Sequence, residues 1–134
     1  MIKMKRILII DDDEQLLELL ASYVESAGYK VETATDGARA AQLFRAAPFD
    51  LVVTDMIMPN REGLETIIGL RGDFPNLPII AMSGGIDRSK LYLDLAKKLG
   101  ANRTLLKPFV PAALTGAIAA LLAAAEKPTA GLPP

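Results

Sequence analysis

The sequence predicts one α/β domain: a three-layer, doubly wound, five-stranded parallel sheet in the order 2-1-3-4-5. Three observations lead there. Short apolar runs rich in Val and Ile alternate with stretches of helical periodicity along nearly the whole chain. Each strand–helix unit takes roughly twenty residues, which demands parallel strands joined by right-handed crossovers. Carboxylates stand directly behind two of the runs, at Asp11-Asp12-Asp13 and at Asp55, and the C-terminal strand edge is where such sheets bind ligands. A chain of 134 residues is enough for one core of this kind.

The first strand is expected over 6–10, where Ile7-Leu8-Ile9-Ile10 is continuously apolar, as in strands buried on both faces. In the first helix, 14–27, Leu16, Leu20, Tyr23 (or Val24) and Ala27 recur at helical spacing, and Gly28 ends it. A second strand follows over 30–34. Asp36-Gly37 turns the chain into a helix over 37–46, and Pro48 stops the sequence after it. The third strand is expected over 50–54. Pro59 and Gly63 bracket a loop before a helix over 63–72, and Pro75 and Pro78 flank the approach to a fourth strand over 78–82.

The fourth helix, 88–99, has Leu91, Leu95 and Leu99 at i, i+4 and i+8, which reads as its core face, with Tyr92 and Leu93 off that line. The fifth strand is expected over 103–106 and the last helix over 111–125. That helix is dominated by alanine, so its solvent face is nearly uncharged; this is either plain helix propensity or an interface. Gly116 in its middle costs about 1 kcal/mol against Ala, and close backbone packing is one reason to keep it. The domain is thus expected over 1–125, with 126–134 a flexible C-terminal tail or truncated linker.

Composition removes several function classes. The net charge is −1 and no dense Lys/Arg run occurs, so direct nucleic-acid binding is not expected. There is no Cys, which excludes disulfides and thiolate chemistry, and no His, which removes the commonest general base and zinc ligand. A phosphohistidine donor therefore cannot lie in this chain. Lys3, Lys5 and Arg6 mimic the start of a signal peptide, but the apolar run behind them ends in three Asp after four residues. No stretch reaches membrane-spanning length, and a cytoplasmic protein is expected. No Gly-x-Gly-x-x-Gly or Gly-Lys-Ser/Thr pattern follows the first strand, which disfavours dinucleotide and P-loop folds.

The predicted order places strands 1 and 3 side by side, so Asp11 and Asp12 face Asp55 across one crevice. A lone Asp at position 55 would read as a turn former or helix cap. Three carboxylates together repel unless a cation or shared proton relieves them, and a hard divalent ion such as Mg²⁺ prefers oxygen ligands. The fourth strand ends in Ser83-Gly84-Gly85 and the fifth in Lys107-Pro108-Phe109. Carboxylates, a hydroxyl and an ammonium at one edge suit phosphoryl chemistry. A carboxylate can attack phosphorus to give an acyl phosphate, while the donors neutralise charge on the phosphoryl oxygens.

On these residues, from about Arg6 to about Ala125, the chain resembles the receiver domain of bacterial response regulators, the chemotaxis-type, flavodoxin-like fold of two-component signalling. The motifs fall on four strand ends: Ile10-Asp11-Asp12, Thr54-Asp55 with Met58-Pro59 and Gly63, Met82-Ser83-Gly84, and Leu106-Lys107-Pro108-Phe109. The resemblance implies a phosphorylation-dependent switch rather than an enzyme with external turnover. It implies Asp55 as phosphoacceptor, with Ser83 and Lys107 completing the catalytic set. Asp12 would bind Mg²⁺ directly and Asp11 through a metal-bound water, with Asp55 and the backbone carbonyl of Ile57 completing the metal site. It further implies a cis Lys107–Pro108 peptide, and a histidine kinase or phosphotransfer protein as donor. The output partner is not named by the sequence; a homodimer through the fourth and fifth helices is one expectation. Since the family's acidic pair follows the first strand directly, Asp13 is left to cap the first helix.

Two departures stand out. Thr104 occupies a position where the family usually carries an aromatic residue that reports the state of the hydroxyl, so either another element transmits the switch or the output differs. Ile57 and Gly85, two beyond Asp55 and Ser83, offer no group to orient water, which predicts unassisted loss of the phosphoryl group. Two rival readings remain. A phosphate-independent pseudo-receiver or dimerisation scaffold is kept alive by Thr104. A phosphohydrolase using an aspartyl phosphate is disfavoured because Asp11-Asp12-Asp13-Glu14-Gln15 lacks the Thr that follows the acidic pair in such enzymes.

Overall fold

The computed structural model describes residues 3–56, 62–84 and 89–126. Five strands alternate with five helices: β1 (Arg6–Ile10), α1 (Glu14–Ser26), β2 (Lys30–Ala34), α2 (Gly37–Ala46), β3 (Leu51–Asp55), α3 (Glu62–Asp73), β4 (Ile79–Gly84), α4 (Ser89–Leu99), β5 (Arg103–Lys107) and α5 (Pro111–Glu126). The sheet is wholly parallel, in the order β2-β1-β3-β4-β5, as the sequence predicts.

The side-chain period of two along each strand divides the core into two layers. Ile7 and Ile9 of β1 point to one face, where Leu17, Leu20 and Val24 of α1 and Leu114, Ile118 and Leu122 of α5 cover them. Leu8 and Ile10 point to the other, packed with Leu43 of α2, Ile67 of α3, and Leu93 and Ala96 of α4. β1 and β3 are buried almost end to end, whereas the edge strands β2 and β5 are half-exposed. Each fully buried Leu or Ile contributes about 1.5–3 kcal/mol, so the central strands β1 and β3 anchor the layered core.

Local signals set the helix starts. The Asp13 carboxylate accepts from the Leu16 N–H at 3.1 Å, and Asp36 accepts from the Arg39 N–H at 2.8 Å; both are N-caps. Gly28 takes φ +101° just past α1, a conformation that favours glycine. The Lys107–Pro108 peptide is cis, as the resemblance implies.

Three expectations about helix faces change. In α1 the buried line is Leu17, Leu20 and Val24; Leu16 and Tyr23 are half-buried and Ala27 is exposed. In α4 Leu93 and Ala96 are buried, with Tyr92 and Leu99 against the core, while Leu91 and Leu95 are 55% and 37% exposed. The leucine spacing misleads there because Leu93 and small Ala96, and not Leu91 and Leu95, turn toward the core. Gly116 has nothing within 4 Å of where a Cβ would lie, so close packing does not explain it. The solvent side of α5 is nearly uncharged as expected, with Ala112, Ala119, Ala120, Ala123 and Ala124 exposed and Glu126 alone charged, at its end. α5 also runs one residue further than expected, to Glu126, which lies 3.9 Å from Lys5. No described helix is long and apolar enough to cross a membrane.

Candidate functional site

The site assembles at the C-terminal edge of the sheet. β1 delivers Asp11 and Asp12 immediately past Ile10, and β3 delivers Asp55 as its own last residue. The sequence places Asp55 just beyond the strand. The ladder reaches one residue further because Asp55 pairs with Met82 and the Met56 N–H donates to the Met82 carbonyl at 2.8 Å. Ser83 follows Met82 on β4, and Lys107 ends β5.

Carboxylate oxygens of Asp11, Asp12 and Asp55 all lie within 4.8 Å of one another. Asp11 and Asp55 are buried and Asp12 is exposed. The Lys107 ammonium donates to Asp11 Oδ2 at 2.7 Å and lies 3.2 Å from Asp55 Oδ1. Asp11 is further fixed by the Asp13 N–H, which donates to its Oδ1 at 3.0 Å. Asp13 thus serves twice: its side chain caps α1 and its backbone orients Asp11.

Burial, then the neighbouring charge of Asp11, pushes the Asp55 carboxyl up to about 6 against the pull of Lys107. Asp12 is raised as well, by desolvation and then by Asp11. Burial acts to lower the Lys107 ammonium, but its hydrogen bond with Asp11 and the charge of Asp55 outweigh this and hold it above its ordinary value. Among the described residues, one ammonium against three carboxylates leaves the cluster with net negative charge, an arrangement that suits a hard metal ion with oxygen ligands.

The Ser83 hydroxyl is fully buried and finds no hydrogen-bond partner among the described residues. An orphaned buried hydroxyl costs about 1–3 kcal/mol, and the deficit is met when a ligand oxygen arrives. Gly84 is a residue whose role the sequence does not disclose. A Cβ there would collide with the Cβ, Cα and carbonyl of Lys107, so the glycine permits the close approach of β4 and β5 that places the ammonium. The strand-end pairing of Gly84 with Lys107 is the signal that exposes it. Thr104 pairs with Ala81 in mid-strand and is half-buried. The expected Ile57 carbonyl ligand, and Met58, Pro59, Arg61 and Gly85, lie outside the described residues.

Residues 7–119 match the response regulator receiver domain family. The chain belongs to that family. Receiver domains of this family are phosphorylation-dependent switches of two-component signalling. Among relatives, the alkaline phosphatase synthesis transcriptional regulatory protein PhoP of Bacillus subtilis is 33% identical over 122 residues, covering 91% of this chain and 50% of the relative. A transcriptional regulatory protein CpxR homolog of Haemophilus influenzae is 35% identical, covering 94% and 54%. The chain therefore spans about half the length of these curated relatives. Among solved structures, a CheY-like receiver domain protein from Methanospirillum hungatei superposes with a TM-score of 0.84 at 27% identity, covering 92% of this chain and 98% of that one. A putative response regulator from Chloroflexus aurantiacus superposes at 0.81 with 30% identity, covering 90% and 99%. In this receiver domain the acidic cluster, the buried hydroxyl and the lysine share one crevice between β1 and β5.

Proposed function

We propose that Asp55 accepts a phosphoryl group from a phosphohistidine of a kinase or phosphotransfer protein, and that the domain then alters its surface for a partner. What carries this reading is the Lys107 ammonium 3.2 Å from Asp55 inside a three-carboxylate cluster. With its carboxyl held near 6, Asp55 is ionised at neutral pH and nucleophilic. One of its oxygens attacks phosphorus, the O–P bond forms, the P–N bond breaks, and the donor imidazole leaves with the electron pair. Lys107 neutralises charge on the transferring oxygens and Ser83 donates its unpartnered hydroxyl to one of them.

Asp11, Asp12 and Asp55 would hold Mg²⁺, with the carbonyl of Ile57 as a further ligand. The bound ion supplies charge neutralisation between the acceptor carboxylate and the phosphoryl oxygens. Asp11, fully engaged by Lys107 and the Asp13 N–H, is suited to act through water, and exposed Asp12 to direct ligation.

The donor approaches over α1. A groove of about 290 Å³ lined by Leu16, Leu19, Tyr23 and Phe109 opens beside Lys107, and Leu19 is half-exposed. Output is assigned to the α4–β5–α5 side, which carries exposed Leu91 and Leu95 on α4, Leu106 on β5 and exposed alanines on α5. Such a surface fits a second copy or an apolar target. With Thr104 in place of an aromatic reporter, the signal passes through displacement of the Ser83 and Lys107 strand ends rather than through a swinging ring.

The deciding experiment is incubation with acetyl phosphate, with and without Mg²⁺, and intact-mass measurement of wild type and Asp55→Asn. A Mg²⁺-dependent gain of one phosphoryl group, absent from the variant, supports the proposal. No gain under any condition overturns it.

A further inference from the structure

We infer that the groove between α2 and α3 is a second binding site, for a small organic cation with a flat apolar body. It is separate from the carboxylate crevice and independent of the phosphorylation chemistry. Where α2 and α3 face each other the sequence supplies Ala40, Ala41 and Gly69 instead of interlocking large side chains. The helices therefore leave between them an open groove of about 370 Å³, the size of a small-ligand site. Gly69 is exposed on the groove, and a Cβ there would meet nothing within 4 Å, so a larger side chain has room to occupy it.

Phe44 and Phe74 form one wall, stacked with centroids 4.8 Å apart and planes at 29°. That wall is rigid, because Phe44 also packs edge-on to Phe49 at 5.1 Å and 65°, and Phe49 is buried. Aromatic faces attract cations and accept flat apolar groups.

Charge selects the sign of the ligand. Glu65 and Asp73 of α3 border the groove, and Arg45 of α2 stands opposite. None of the three has a hydrogen bond or ion pair among the described residues. Two carboxylates against one guanidinium leave a net negative rim. The carboxylates are eight positions apart, about 12 Å along the helix, too far to share one metal ion. Asp73 also ends α3, where the helix dipole disfavours an anion. A cationic ligand compensates that charge.

The test is an amide NMR titration with phenethylamine, using 3-phenylpropanoate as a probe of similar shape and opposite charge. The amine is expected to shift α2 and α3 resonances, with the carboxylate roughly tenfold weaker or worse. Gly69→Leu is expected to abolish the shifts while melting at or above wild type, since it fills the groove and improves helix propensity. Ala41→Leu, from the opposite wall, gives the same loss should the first variant fold poorly. Asp73→Asn weakens amine binding without unfolding the domain. Equal binding of both probes, no binding of the amine up to about 10 mM, or shifts that persist in the filled variants would each overturn the inference.

Discussion

The Lys107 ammonium lies nearer to Asp11, at 2.7 Å, than to Asp55, at 3.2 Å. One cation is thus divided unequally between two buried carboxylates, and Asp55 receives the smaller share. Burial, then the charge of Asp11, drives the Asp55 carboxyl up to about 6, and its smaller share of Lys107 offsets this only in part. Fold stability and reactivity are set against each other at this residue.

Replacing Asp55 by Asn removes a buried charge that the fold tolerates poorly. Without divalent ions at pH 7, Asp55→Asn is expected to be more stable than wild type by roughly 1–3 kcal/mol, while accepting no phosphoryl group. Thermal melts in chelator, paired with intact mass, read both effects. A variant that melts lower contradicts the account.

The same carboxyl sets a pH dependence of definite sign. Its folded value, about 6, is above the ordinary 3.8, so between those values the folded chain holds the proton more tightly than the unfolded one. The stability it contributes is greatest below about pH 4 and is lost as pH rises through 6. Melts of wild type and Asp55→Asn across this range, in chelator, should diverge as pH increases, because only wild type carries this loss.

Mg²⁺ is expected to raise the melting temperature by mass action, by about 2.7 kcal/mol at a hundredfold excess over its Kd. Asp12 is exposed, so Asp12→Ala should fold normally. Its stabilisation by Mg²⁺ should nevertheless fall well below that of wild type in the same titration. An unchanged response would remove Asp12 from the ligand set.

Gly84→Val tests the approach of β4 to Lys107. The added branches force the strand ends apart, at a cost of about 1–3 kcal/mol. Phosphoryl acceptance should drop together with stability, because the ammonium is displaced. Full activity in a destabilised variant would show that Lys107 does not depend on this contact.

The two sides of α4 are distinguished by truncation. Leu93→Ala, in the core, should cost about 2–3 kcal/mol, whereas Leu91→Ser and Leu95→Ser, half-exposed, should each stay within about 0.5 kcal/mol. Urea midpoints of the three variants order them directly.

The strands and the carboxylate crevice were legible because both rest on short-range signals. Ile7–Ile10 and Leu51–Thr54 can only be buried strands, and topology then forces Asp11 and Asp55 together. Sequence pattern was weaker for α1 and α4, since a leucine is visible in a sequence and a packed alanine is not; in α4, Leu93 and Ala96 took the place of Leu91 and Leu95. It was silent on Gly84 and on the backbone of Asp13, whose importance comes from contacts across strand ends. The sequence carries no sign that Ser83 is fully buried or that Gly84 abuts Lys107, because both facts depend on how β4 and β5 meet.

Asp11 and Lys107 are separated by 96 positions in the chain. Between them every other strand must be laid down, and β5 is the last. A growing polypeptide therefore presents its acids long before the Lys107 ammonium that steadies them, and no fragment lacking the final strand contains this acid–ammonium cluster. On the proposed chemistry, a donor protein has nothing competent to modify until synthesis has passed Lys107 and the sheet has closed. The order of the strands thus ties the finished acceptor to the closing of the sheet itself.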